Sequence, residues 1–174
     1  MKAFLDTSVL VATFYGDHEH HTPSLDIFLR FGKKDACCGA HSLAEVYATL
    51  TAMPGKRRVG GDAALLFLRD IRDHLTLISL DERDYFQMIE EAAAATLAGG
   101  AIYDALLGHC ALKAKAETLY TWNTRDFLRL AQPVAARVRR PDQPTRSADP
   151  ISRPDQPTRS ADPISRPDQP THEH

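Results

Sequence analysis

Residues 4–12 read Phe4-Leu5-Asp6-Thr7-Ser8-Val9-Leu10-Val11-Ala12, an apolar run with three polar residues set into it. Such a run, apolar throughout rather than alternating, is how a strand covered on both faces by helices reads. The expectation is a buried parallel strand within Phe4 to Val11 with its following turn at Asp6, Thr7 and Ser8. A lone carboxylate in that setting costs several kcal/mol. Asp6 must therefore be paired, sit at the strand's exposed end, or hold a cation. A local turn closed by Asp6, Thr7 and Ser8 is the structural alternative.

Working outward, further strands are expected at 36–39, 76–80, 119–122 and 134–138. Helical periods lie between them, at 22–31, 42–50, 62–74, 82–97, 102–115 and 124–130. Leu43, Val46, Tyr47 and Leu50 show the i, i+3, i+4, i+7 spacing of one helix face. An Asp near the start of the 62–74 and 82–97 segments suits an N-cap. Strands alternating with helices predict an α/β fold, a central parallel sheet flanked by helices. In such sheets ligands bind beyond the carboxyl ends of the strands.

From Arg140 the composition changes. RPDQPTRSADPIS occurs twice, followed by RPDQPT and HEH, a perfect 13-residue repeat. Eight of the eleven prolines lie there, with almost no apolar residues. So little apolar surface does not offset the entropy of ordering the segment. The division expected is a folded domain over 1–139 and a disordered, Pro-rich tail over 140–174.

The 174 residues carry 21 basic and 23 acidic side chains, a net charge of −2, which argues against a broad non-specific nucleic-acid binder. Cys37, Cys38 and Cys110 form no CxxC pair, so neither a disulfide framework nor a zinc knuckle is indicated. The expected setting is a reducing cytoplasm, without membrane span or signal peptide.

Four acids deserve comparison with their structural alternatives. Glu45 fits the S-x-x-E capping box begun by Ser42. Asp104 opens a helix after Gly99-Gly100, where a negative charge suits the helix dipole. Asp126 follows Asn123, which is placed to cap a short helix. Taken together, Asp6 ends a strand while Glu45 and Asp104 begin helices, which are the carboxyl-edge locations of the expected sheet. Converging carboxylates repel unless a divalent cation lies between them, and a hard ion such as Mg²⁺ prefers oxygen ligands. That chemistry suits phosphodiester hydrolysis.

With these residues in view, the chain resembles the PIN-domain nucleases and, within them, the VapC-like ribonuclease toxins of toxin–antitoxin pairs. FLDTSVLVA is similar to the family's first motif, HSLAEVYATL to the second, and IYDALLGHCALKAKAETLYTWNTRDF to the third and fourth run together. The resemblance covers residues 2 to about 138 and excludes the tail. It implies a PIN-like three-layer fold and a metal-dependent endoribonuclease. Asp6 and Asp104 would hold Mg²⁺, with Mn²⁺ as a substitute, and Glu45 would activate water as general base. The family's fourth site falls on Asn123, with Asp126 either a displaced carboxylate or a capping residue. Thr7 and Thr121 are placed to hold carboxylates or water, and Arg125 to meet substrate; structural hydrogen bonding at strand ends fits the two threonines equally. RNA substrate, a cognate antitoxin and a homodimer follow from the resemblance. A housekeeping PIN nuclease in RNA processing, or a non-catalytic DNA-binding repressor complex, are the rival readings.

Other polar groups carry less. His18, His20 and His21 lack the i, i+4 spacing that puts two ligands on one helix face. Lys56, Arg57, Arg58 and Arg129 are candidates for phosphate contact, or simply solvated. His109 is expected to pack, and His41, just ahead of Ser42, is a candidate for approaching substrate.

Overall fold

The structure is a computed structural model that describes residues 1–143. The tail expectation lies outside the described residues from Pro144 onward. Residues 140–143 are described: Arg140 lies over the Trp122 ring at 5.2 Å, and Pro141 is buried.

Five parallel strands form one sheet: β1 (Ala3–Leu5), β2 (Ala36–Gly39), β3 (Thr76–Ile78), β4 (Thr118–Tyr120) and β5 (Val138–Arg139), in the order β3-β2-β1-β4-β5. The first strand in sequence is thus the middle of the sheet. Between the strands lie α1 (Thr7–Phe14), α2 (His21–Arg30), α3 (Ala40–Ala52), α4 (Gly61–His74), α5 (Glu82–Ala94), α6 (Ala101–Lys113), α7 (Thr124–Phe127) and α8 (Gln132–Ala135).

Alternate side chains of each strand feed two cores. Ala3, Leu5, Ala36, Cys38 and Tyr120 turn to a cluster with Val9, Leu10, Ile27, Val46, Leu50 and Ile71, under α1 to α4. Phe4, Cys37 and Leu119 turn the other way, to Met88, Leu106, Leu107, Cys110, Phe127 and Val134, under α5 to α8. This is the three-layer α/β architecture expected. All three cysteines are buried and free.

Several local expectations are corrected. The strand within Phe4 to Val11 stops at Leu5, and the residues from Thr7 onward are helix α1. Val9 to Thr13 are all buried, so this helix is apolar almost all round. Its sequence lacks the periodicity that separates helix from buried strand. Asp6 decides the switch: its extended backbone ends the strand, and its side chain accepts from the Ser8 N–H as the helix N-cap.

The capping box at Ser42 does not form. Gly39 caps α3, Ser42 lies inside the helix, and its buried hydroxyl has no partner. Gly60, not Asp62, caps α4, while Asp81 does cap α5 through its side chain. The last strand shrinks to Val138–Arg139, because Pro133, within the first two positions of α8, starts a helical turn. The helix expected over 124–130 ends at Phe127.

Candidate active site

Asp6 sits where β1 passes into α1, at the middle of the sheet's carboxyl edge, and is only 4% exposed. Three hydrogen bonds fall on its Oδ2: from the Ser8 N–H at 3.2 Å, the Ser8 hydroxyl at 2.6 Å and the Thr121 hydroxyl at 2.8 Å. The Trp122 N–H donates to Ser8 Oγ at 3.0 Å, and the Asn123 N–H to Thr121 Oγ1 at 2.9 Å. The end of β4 is thereby tied to the start of α1. Burial pushes the Asp6 carboxyl above the usual carboxylate range, while the bonds from Ser8 and Thr121 pull the other way.

Glu45, one turn into α3, accepts from the Thr7 hydroxyl at 2.5 Å. That bond replaces the capping role and turns Glu45 toward α1. Asp104 lies in the first turn of α6, and its Oδ1 accepts from Asn123 Nδ2 at 3.4 Å. Its carboxyl is pushed up to about 6, by burial first and then by the charges of Asp6 and Asp126, with Glu45 adding to them; the Asn123 bond opposes the shift. Acids from three other helix starts or strand ends therefore bear on Asp104. Among the described residues, no three His, Cys, Asp or Glu side chains are drawn close enough to hold an ion by themselves.

Asn123 is the N-cap of α7 by position but makes no side-chain cap bond; its amide serves Asp104 instead. Asp126 is approached by Arg125 Nε at 3.8 Å and Arg129 at 3.6 Å, which gives it a local role within α7 and the turn after it. The Arg125 side chain is largely exposed and has no other partner among the described residues.

The donor set fits a hard divalent ion. It is all oxygen, and the hydrogen bonds on buried Asp6 concentrate on Oδ2, leaving Oδ1 for a ligand. The histidine-rich loop fits no metal: His20 stacks on Trp122 with centroids 3.8 Å apart, and His21 Nδ1 meets the Ala12 carbonyl oxygen at 3.0 Å. His109 bonds to Glu91 at 3.1 Å rather than packing in the core.

Ser8 is the site residue that sequence reasoning passed over. Its signal is the Asp6-Thr7-Ser8 triplet, for which a local turn is one of the readings. The triplet does close on itself, and the same hydroxyl also reaches β4.

Residues 3–133 match the PIN domain, so the chain belongs to the PIN-domain family. It is 36% identical over 122 residues to Ribonuclease VapC40 of Mycobacterium tuberculosis, covering 70% of this chain and 84% of that protein. The fold is like the crystal structure of Mycobacterium tuberculosis VapC20, a sarcin–ricin loop cleaving toxin. The TM-score there is 0.60 and the identity 16%, over 72% of this chain and 92% of that one. VapBC2 from Rickettsia felis, bound to a DNA fragment from its promoter, gives 0.54 and 19%, over 75% and 93%.

Proposed function

We propose that this PIN-domain ribonuclease, the toxic member of a toxin–antitoxin pair, cleaves RNA at the carboxyl edge of β1 with Mg²⁺ held by Asp6 and Asp104. The observation that carries the reading is the pairing of a buried Asp6, bonded through one oxygen, with an Asp104 whose carboxyl is pushed up to about 6 by burial and then by the acids around it. A divalent cation relieves both strains at once. When bound, Mg²⁺ lowers the pKa of water and offsets charge on the phosphoryl group.

The chain's own side chains supply the rest. Ser8 and Thr121 fix the Asp6 carboxylate, and Asn123 orients Asp104. Glu45, fixed by Thr7, takes a proton from the attacking water as its oxygen bonds to phosphorus. The scissile P–O bond breaks, and the leaving oxygen takes a proton from solvent. Asn123 fills the family's fourth position as a neutral amide. Asp126, with two arginines beside it, contributes field rather than ligation. Arg125 is free to meet a phosphate.

An antitoxin partner and a homodimer complete the reading, and the protein acts in the cytoplasm. An open groove of about 490 Å³ between α1, α2 and α4 has Phe14, Leu25, Phe28 and Leu29 along it, with Asp70 and Asp73 beside them. That combination suits an amphipathic helix with basic flanks. No helix among the described residues is long and apolar enough to cross a membrane.

The test is cleavage of single-stranded RNA by pure protein, with chelator, Mg²⁺ or Mn²⁺, in the native chain and in Asp6→Asn and Asp104→Asn. Cleavage that needs metal and disappears in both variants is expected. Activity surviving in both overturns the site. Coexpression with the product of a small adjacent gene should relieve growth arrest; arrest that persists with both acids replaced would assign the toxicity to something other than cleavage.

A further inference from the structure

Two aromatic rings stand beside the acid cluster and take no part in the hydrolysis. His41 lies in the first turn of α3, one helical turn ahead of Glu45. Tyr103 precedes Asp104 in the first turn of α6. The two rings are nearly parallel, 10° apart, with centroids separated by 5.3 Å. Tyr103 is nonetheless 49% exposed, on a helix whose next four residues, Ala105 to Gly108 after Asp104, are all buried. One face of the phenol is backed by the imidazole, and about half of the residue remains open to solvent. The pair joins the two helices that carry Glu45 and Asp104, and is therefore held by the same scaffold as those acids.

The electrostatics beside it are unhelpful to a polyanion. Asp6, Glu45, Asp104 and Asp126 gather here, and the nearby Arg125 and Arg129 lean on Asp126. Contacts that do not depend on charge therefore add affinity for a nucleic acid at this spot that its acids do not oppose. Aromatic side chains provide them, since every unpaired base has a π-face to stack, and single-stranded RNA is commonly read this way. A ring already fixed by a neighbour gives up little rotamer freedom on binding.

We propose that Tyr103, backed by His41, is the platform on which an unpaired base next to the scissile phosphate stacks. This rests on the ribonuclease reading above. Tyr103 acts on binding, and His41 is a positioning residue that sets the tilt of the phenol ring. The ligand class is a single-stranded RNA segment, a loop or an end, rather than a duplex.

The experiment uses the full chain and short single-stranded RNAs carrying 2-aminopurine, titrated in chelator so that binding is read without turnover, alongside cleavage in Mg²⁺. Binding should quench the probe in the native protein and in Tyr103→Phe. In Tyr103→Ala and Tyr103→Leu the quench should be lost and Kd should rise roughly five- to a hundredfold, the range measured for one stacked base. His41→Ala should lose part of the quench. Melting temperature should stay near native in the Tyr103 variants, since the ring is half exposed. If Tyr103→Ala binds and cleaves like the native chain, the platform is wrong while the nuclease reading stands. An equal loss in Tyr103→Phe, with native melting, would point to a hydroxyl contact and overturn stacking. A Tyr103→Ala chain that keeps its RNA affinity but loses a protein partner would also overturn it. If no RNA binds or is cleaved by the native chain, both readings fall together.

Discussion

Replacing Asp104 by Asn should make the metal-free protein more stable above neutral pH while removing its activity. The carboxyl titrates at about 6 instead of the usual 3.8, because burial and neighbouring acids oppose its charge. At 1.36 kcal/mol per pH unit, the ionised form is disfavoured by about 3 kcal/mol. Asp104 is only half-buried, and solvent screening reduces this to about 1–2 kcal/mol. The amide still accepts from Asn123, so the 3.4 Å bond is not lost. The sign follows from proton linkage. Below pH 3.8 the native carboxyl is neutral in both folded and unfolded chains, and the substitution gains nothing. Between 3.8 and about 6 the folded chain keeps a proton that the unfolded chain gives up, so native stability falls as pH rises. Above about 6 the full penalty is present, and so is the variant's full advantage. For a domain of this size, that advantage is about 3–6 °C in melting temperature. The assay is thermal melting in chelator at about pH 8 and at about pH 4, on either side of the window. Millimolar Mg²⁺ should then raise the melting temperature of the native protein more than that of the variant. A variant that melts below the native chain at alkaline pH, or whose advantage is the same in acid, would refute the crowding of charge at Asp104.

Three further outcomes follow from packing and hydrogen bonding. Thr121→Val removes the donor 2.8 Å from buried Asp6 and the acceptor of the Asn123 N–H; it should cost about 1–3 kcal/mol in denaturant unfolding and reduce turnover. Unchanged stability there would mean that water replaces the hydroxyl. Gly39→Ala would place its Cβ 2.6 Å from Leu107 Cδ2 in a filled core, so the denaturation midpoint should fall by the equivalent of about 1–3 kcal/mol; a neutral result would show that Leu107 has room to turn. Ending the chain after Arg139 should lower the melting temperature more than ending it after Gln143, because only the shorter chain loses Arg140 from the Trp122 ring and the buried Pro141. Equal melting of the two truncations would show that these contacts contribute nothing.

The α/β class was legible because short apolar runs and helical periods alternate along the chain, and that pattern survives errors at individual ends. What was not legible is the type of one element and the direction in which several side chains turn. Val9 to Thr13 are buried on all sides, so no period distinguishes a strand from the helix they form. Ser42-Leu43-Ala44-Glu45 satisfies a capping rule in one dimension, but in space Glu45 meets Thr7, from a different segment. Asp6, Glu45 and Asp104 could be picked out because each stands at the edge of an apolar element. That Asn123 turns to Asp104 while Asp126 stays with Arg125 and Arg129 depends on how α7 docks, which local sequence does not encode. The role of Ser8 needed the position of β4, more than a hundred residues away in the chain.

The middle strand of the sheet is also the first to be made. On a ribosome, Asp6 emerges early, while the Thr121 hydroxyl that secures it lies 115 positions later and the neighbouring strand β4 begins only at Thr118. A nascent chain carrying β1, β2 and β3 has an acid with no partner across the sheet and no neighbour on one side of its central strand. That side of the sheet's carboxyl edge closes only once β4 has been made. A chain that stops short of β4 leaves the Asp6 carboxylate without the Thr121 hydroxyl and β1 without its neighbour on that side.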